Sequence, residues 1–261
     1  MATNSWLLKV SNIVAFVLTV IINSIAGATT LIGGVNTADV SNAHQTLITP
    51  AGYTFAIWGI IYFLLGVFVV YQALPSQKEK DFQKRIGWLF VLSSIFNMVW
   101  IFCWQYLYLA VSVAVIFLLL ISLIAIYLRL NSGKSTANLY EKLAVKLPFS
   151  VYLGWITIAT IADVAVTLVS LQWNGFGIAA ETWAILIIMI ALLITLIMIA
   201  TRRDIGYGLV IIWALVGITA NQMGYPTIVT TLEASIAIIV IALAAMILIT
   251  RFWRRPQLPK T

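Results

Sequence analysis

The chain has 261 residues, of which 62% are hydrophobic and 9% charged, with a formal net charge of +7 and a mean hydropathy of +1.06. Soluble domains run at about 45–50% apolar and about 25% charged residues. The composition therefore excludes an ordinary soluble domain, a disordered chain and a disulfide scaffold, and leaves an all-α fold, a polytopic transmembrane helical bundle.

A helix needs about 20 apolar residues to cross the hydrocarbon core. In chain order the candidates are Trp6–Thr29, Ala51–Leu74, Ile86–Gln105, Tyr108–Arg129, Leu147–Leu171, Trp183–Thr201, Ile205–Asn221 and Ala234–Trp253. The first carries Lys9 and no small-residue cleavage site after a short apolar core, so it reads as a retained span and not a leader. Between the first two lies a polar loop, Thr30–Pro50, with Gly33, Gly34, Asn36, Thr37, Asp39, Ser41, Asn42 and His44. Its length reads as a functional lid or as a surface connection. The third and fourth spans form one apolar block from Ile86 to Leu130, about two bilayer thicknesses long. It is divided at Gln105–Tyr108, where Trp104, Tyr106 and Tyr108 suit an interfacial aromatic belt. Trp6, Trp88, Trp183 and Trp253 also sit near span ends and read the same way. The seventh span is the shortest and holds Gly206, Gly208 and Gly217, residues that allow close helix packing.

With the N-terminus placed inside, all fifteen Lys and Arg residues fall on inside segments. By the positive-inside rule this gives eight spans with both termini cytoplasmic. The +7 then reads as a record of insertion beside an anionic inner leaflet, not as a nucleic-acid surface.

The one cysteine, Cys103, and the one histidine, His44, provide neither an intrachain disulfide nor a metal site. Cys103 reads as a small buried hydrophobe. No mid-span lysine is present for a retinal Schiff base, and no HExxH, GxSxG, P-loop or paired-aspartate motif appears. Asp163 in the fifth span is the one ionisable residue deep in a span, and no Lys or Arg lies at its depth. Intramembrane carboxyls of this kind mark proton or cation pathways, or bond structurally to a neighbouring helix.

Aromatic and polar residues share helix faces. Trp58 and Tyr62 are four apart; Asn97, Trp100 and Trp104 are spaced three and four; Tyr152, Ala159 and Asp163 form a stripe flanked by Trp155. Flat apolar walls with a few polar anchors make up a ligand pocket. Helix packing and interfacial belts are the other reading of the same residues.

Three of these segments carry a family resemblance. The run from Thr49 to Gly66, TPAGYTFAIWGIIYFLLG, resembles the loop-to-second-helix signature of the TspO / translocator protein (tryptophan-rich sensory protein) family. Phe96-Asn97-Met98-Val99-Trp100 is similar to its third-helix motif. The run from Val151 through Tyr152 and Trp155 to Asp163 is similar to its fifth-helix motif. They recur in order on the second, third and fifth spans. Ala56-Ile57 stands where the family has a proline before the tryptophan, Val151 replaces another proline, and Asp163 replaces an asparagine.

The resemblance covers about residues 5–172. It implies a TspO-like five-helix membrane domain over 1–172, with 173–261 adding three transmembrane helices and a basic cytoplasmic tail. It further implies an integral protein of a prokaryotic cell membrane that binds, senses or translocates an apolar aromatic small molecule. A porphyrin or haem-like ligand would be held by Trp58, Tyr62, Asn97, Trp100, Tyr152, Trp155 and Asp163. The expected partners are the lipid bilayer and that ligand, with room for a homodimer and no nucleic acid. Two other activities stay open: a proton- or cation-coupled small-solute transporter using Asp163, and an enzyme degrading a bound porphyrin. A sterol-type pattern, Leu123…Tyr127…Arg129, lies on the fourth span. The pair Trp213…Asn221 repeats the spacing of Trp155…Asp163.

Overall fold

A computed structural model describes residues 5–77, 80–131 and 137–253. Lys78, Lys134, Arg254, Arg255 and Lys260 of the charge count lie outside the described residues, as does the Trp253 side chain.

The chain begins with α1 (Ser5–Ala28), then the short α2 (Thr37–Ala43) inside the polar first loop. The sequence of α2 carries its own start signal. Asn36 Oδ1 accepts from the backbone N–H groups of Ala38 (2.9 Å) and Asp39 (3.0 Å), and Asp39 accepts from the Asn36 N–H at 3.1 Å. This reciprocal capping box satisfies donors that a helix leaves open at its N-terminus. A 3₁₀ turn, Gly52–Ala56, leads into α3 (Ile57–Ala73). After α4 (Asp81–Ile86), Gly87 turns at φ +52° into α5 (Leu89–Gln105). The long apolar block divides where expected: α5 ends at Gln105, and α6 runs Leu109–Asn131. A single turn, α7 (Leu139–Glu141), continues through a π-helical turn, Lys142–Lys146, into α8 (Leu147–Ser170). Pro148 sits in the first turn of α8, where the N–H it lacks would have had no intrahelical partner. The chain closes with α9 (Ala180–Arg202), α10 (Ile205–Asn221) and α11 (Pro226–Trp253).

The described residues contain no strand, and six helical segments are long and apolar enough to cross a membrane. Two shorter apolar helices, α5 and α10, complete an eight-helix bundle. The fold is that of an integral multi-pass membrane protein. The last span starts at Pro226 and not at Ala234. Thr230 and Thr231 return their hydroxyls to the carbonyls of Pro226 (2.9 Å) and Thr227 (2.8 Å). Polar residues that read as loop in the sequence are thus absorbed into the first turns of the helix.

Helix α8 is the pivot. It packs against α6, α3 and α10; α5 packs against α6 and α1; and α9, α10 and α11 pack against one another. The contact with α10 is close because glycines meet it. A Cβ on Gly154 would lie 3.2 Å from Val210 Cβ, and one on Gly206 would lie 2.9 Å from Leu147 Cδ1 and Ser150 Oγ. Asp204 fastens the same junction: it accepts from Tyr127 Oη on α6 (2.7 Å), from Ser150 Oγ on α8, and from the Tyr207 N–H (3.0 Å). Leu123 and Tyr127 are buried, so two members of the sterol-type pattern on α6 face the bundle and are used in holding it together.

Candidate site: an aromatic cavity under a helical lid

The second span supplies Trp58 and Tyr62, one turn apart and stacked with centroids 5.5 Å apart. Trp100 of α5 lies 6.2 Å from Trp58, and Trp104 stacks on Trp100 at 6.0 Å. Tyr152 and Trp155 of α8 meet Trp58 edge-on at 6.1 and 6.2 Å. Edge-to-face and offset contacts at these distances are favourable for ring quadrupoles. They also leave no slot for a third ring between any of these pairs.

Beside this cluster lies a cavity with about 460 Å³ of empty volume, part of it open to the exterior. Trp58, Trp100, Trp155 and Asp163 line it, with Trp104, Ala159 and Ala162. Its cover comes from the first loop, through Thr37 and Ser41 of α2 and Pro50, and from Phe55 in the 3₁₀ turn that follows. The first loop therefore contains a built lid. Trp104 Nε1 donates to the Thr37 carbonyl at 3.0 Å, and Gln105 Nε2 donates to the carbonyls of Ala26 (2.6 Å) and Val35 (3.0 Å). Gly33, at φ +67°, rests on the Gln105 backbone so closely that a Cβ would collide with its carbonyl.

Asp163 accepts from Trp100 Nε1 at 2.9 Å and lies 2.8 Å from Ser112 Oγ on α6. Ser112 Oγ is also 2.7 Å from the Leu109 carbonyl, which Thr167 Oγ1 reaches at 3.2 Å. One hydroxyl proton thus faces two acceptors. With an ionised Asp163, Ser112 donates to the carboxylate and Leu109 keeps Thr167. With a protonated Asp163, the acid donates to Ser112, which donates to Leu109. Either state leaves these groups bonded.

The seven residues singled out from the sequence fall into two layers. Trp58, Trp100, Trp155 and Asp163 line the cavity; Tyr62, Asn97 and Tyr152 stand behind it. Asn97 Nδ2 donates to Tyr152 Oη at 2.9 Å, and Asn97 Oδ1 accepts from Asn23 Nδ2 of α1 at 2.7 Å. These polar groups are therefore spent on one another. Trp155 Nε1 and Tyr62 Oη are buried without a hydrogen-bond partner. A buried unpaired donor is costly, and this one belongs to a residue of the cavity wall.

Sequence reasoning missed Ser112, Asn23 and the lid contacts, and it assigned Trp104 to an interfacial belt as well as to the α5 face. Trp104 is 4% exposed and belongs to the wall. Its spacing of four from Trp100 was the available signal. Trp6 and Trp88, by contrast, are exposed as a belt requires. Cys103 is only half-buried, so it is not the core hydrophobe its position in an apolar run implies.

The seventh span holds the base of the lid. The Ala51 N–H donates to the Gly217 carbonyl (2.9 Å) and Trp213 Nε1 to the Thr54 carbonyl (2.9 Å). Asn221 Nδ2 donates to the Thr49 carbonyl (3.1 Å), and Gln222 Nε2 to those of Thr46 (3.1 Å) and Thr49 (3.2 Å). Gly217 is required here, because a Cβ would collide with the Thr54 side chain. The Trp213…Asn221 pair that repeats the spacing of Trp155…Asp163 thus grips, from α10, a strap formed by residues 46–54.

These features define a membrane bundle with an aromatic-walled, lidded cavity. The family model described as TSPO-like protein matches residues 9–251, from α1 into α11. The chain belongs to that TSPO-like family. No curated protein and no solved structure matches it.

Proposed function

We propose that the protein binds an apolar, flat aromatic molecule of tetrapyrrole type in the cavity beneath α2, as a sensor or translocator. The Trp155 indole N–H carries this reading: it is buried and unpaired, and its residue lines a cavity whose aromatic walls include Trp58, Trp100 and Trp104. An occupant with a carbonyl or carboxylate acceptor would satisfy it, while the rings supply the apolar area. The close ring contacts mean that such an occupant lies across Trp58 and Trp155 and not between them, and that α2 lifts to admit it. The test is quenching of tryptophan fluorescence by protoporphyrin IX in lipid nanodiscs. Saturable quenching that weakens at least tenfold in Trp155→Phe and Trp58→Ala supports the reading. Quenching indifferent to both changes rejects it.

A second reading has one observation in its favour. Asp163, Ser112 and Leu109 accommodate either protonation state of the carboxyl without leaving a group unpaired, which a proton-coupled solute transporter needs. Proton-dependent uptake into vesicles that survives Asp163→Asn would reject it. In either case the fifteen basic residues argue for cytoplasmic termini.

A further inference from the structure

A second, narrow space lies among α8, α9 and α10; its roughly 300 Å³ includes the part open to the exterior. Isoleucine, leucine and alanine form its whole lining. Ile158 and Ala162, one turn apart on α8, line both this space and the aromatic cavity. The cover is shared as well: Pro50 lies over the aromatic cavity and Ile48 over the second space. Thr49 between them is anchored through its carbonyl to Asn221 and Gln222. Two spaces of opposite chemistry thus lie under one strap and meet along one edge of α8. Ile158 and Ala162 form their shared border. The aromatic cavity is lined by Asp163 and by Trp155, whose indole N–H is unpaired; the second space is lined by no polar side chain.

We propose that the two spaces are the head and tail lobes of one site, and that its ligand is an amphiphile with a flat, acceptor-bearing ring system and a hydrocarbon tail. This rests on the aromatic-ligand reading above and extends it to the tail. The ring lies under α2 against Trp58 and Trp155. The tail crosses Ala162 and packs against Ile187 and Ala191 of α9. Helices α9 and α10 then have a role in recognition as well as in packing, since they build the tail lobe. Lipid is as apolar as this lobe, so the tail is not drawn in by escape from water. Its contribution comes from dispersion contacts with walls that otherwise face a void, and from its attachment to a head already bound; an advantage of about tenfold is expected.

The test compares two compounds with one macrocycle and one ester linkage: methyl pheophorbide a and its phytyl ester, pheophytin a. Their affinities are measured by tryptophan quenching in nanodiscs, and the ratio of the two is read so that partition into lipid cancels between variants. The wild type should favour the phytyl ester about tenfold. Ala191→Phe and Ile187→Trp, which fill the lobe from two positions on α9, should each bring the ratio close to that of a tail-blind site. Binding of the methyl ester reports that each variant is folded. Equal affinities in the wild type, or a preference that survives both substitutions, overturn the tail lobe and leave the head site standing. Failure of the methyl ester to bind the wild type overturns the aromatic-ligand reading, and this inference with it.

Discussion

Trp100→Phe keeps an aromatic wall but deletes the one N–H that reaches Asp163 Oδ2, at 2.9 Å. Both residues are almost fully buried. The carboxyl then keeps Ser112, at 2.8 Å from its other oxygen, and the neighbouring Thr167 hydroxyl. The single substitution confounds this loss with the smaller ring, so the bond is isolated by a double-mutant cycle with Asp163→Ala. A neutral acceptor gives a coupling of about 0.5–1.5 kcal/mol, and an ionised one about 1.5–3 kcal/mol. Hydrogen bonds between membrane helices average about 0.6 kcal/mol, because the unfolded chain in a micelle finds other partners. The expected coupling is therefore about 1 kcal/mol, rising toward about 2 kcal/mol if the carboxyl is ionised. Equilibrium unfolding in mixed detergent micelles, with the four variants at one pH, measures it. Repeating the cycle across pH reports whether the charge state changes. A coupling below about 0.3 kcal/mol, the usual error of additivity, would refute a direct bond and with it the fixed position of Asp163 on the cavity wall.

Trp104→Phe removes the bond to the Thr37 carbonyl that pins α2, and should speed release of a quenching ligand by about two- to tenfold; stopped-flow dissociation reads it. Gly217→Leu drives a side chain into Thr54 and should lift the strap. A cysteine placed at Thr46 in a Cys103→Ser background should then label faster with a maleimide, at an overpacking cost of about 1–3 kcal/mol. Asp204→Ala removes the α10 cap and the acceptor shared by Tyr127 and Ser150, for a loss of about 2–4 kcal/mol in micelle unfolding. Cytoplasmic termini predict that a single cysteine at Asn138 is shielded from an impermeant maleimide in intact cells while one at Asn174 is labelled; the reverse pattern would invert the topology.

The periodicity that placed Trp58, Trp100, Trp155 and Asp163 on helix faces does hold in three dimensions, since residues three and four apart on a helix share a side whatever surrounds it. Depth was less legible. Tyr62, Asn97 and Tyr152 share those faces yet lie behind the cavity, because a face is wide enough to present one residue to a space and its neighbour to another helix. Trp104 has the position of a belt residue and the surroundings of a wall residue. Only the return of the first loop over the end of α5 distinguishes the two.

The helical membrane class and most helix bounds were legible in the sequence, because a bilayer demands about 20 apolar residues and full backbone pairing from each crossing; six of the expected spans reach that length, and α5 and α10 are shorter apolar helices. The candidate chemistry of the pocket and the isolation of Asp163 were legible too. The tertiary structure decided that the seventh span, read as a packing helix with glycines, grips the strap of a lid more than 150 residues earlier in the chain. It also decided that an apolar space adjoins the aromatic one at Ala162. Local pattern constrains which residues face the same way along one helix. It places no constraint on which distant segment meets that face, and here that meeting is what closes the cavity.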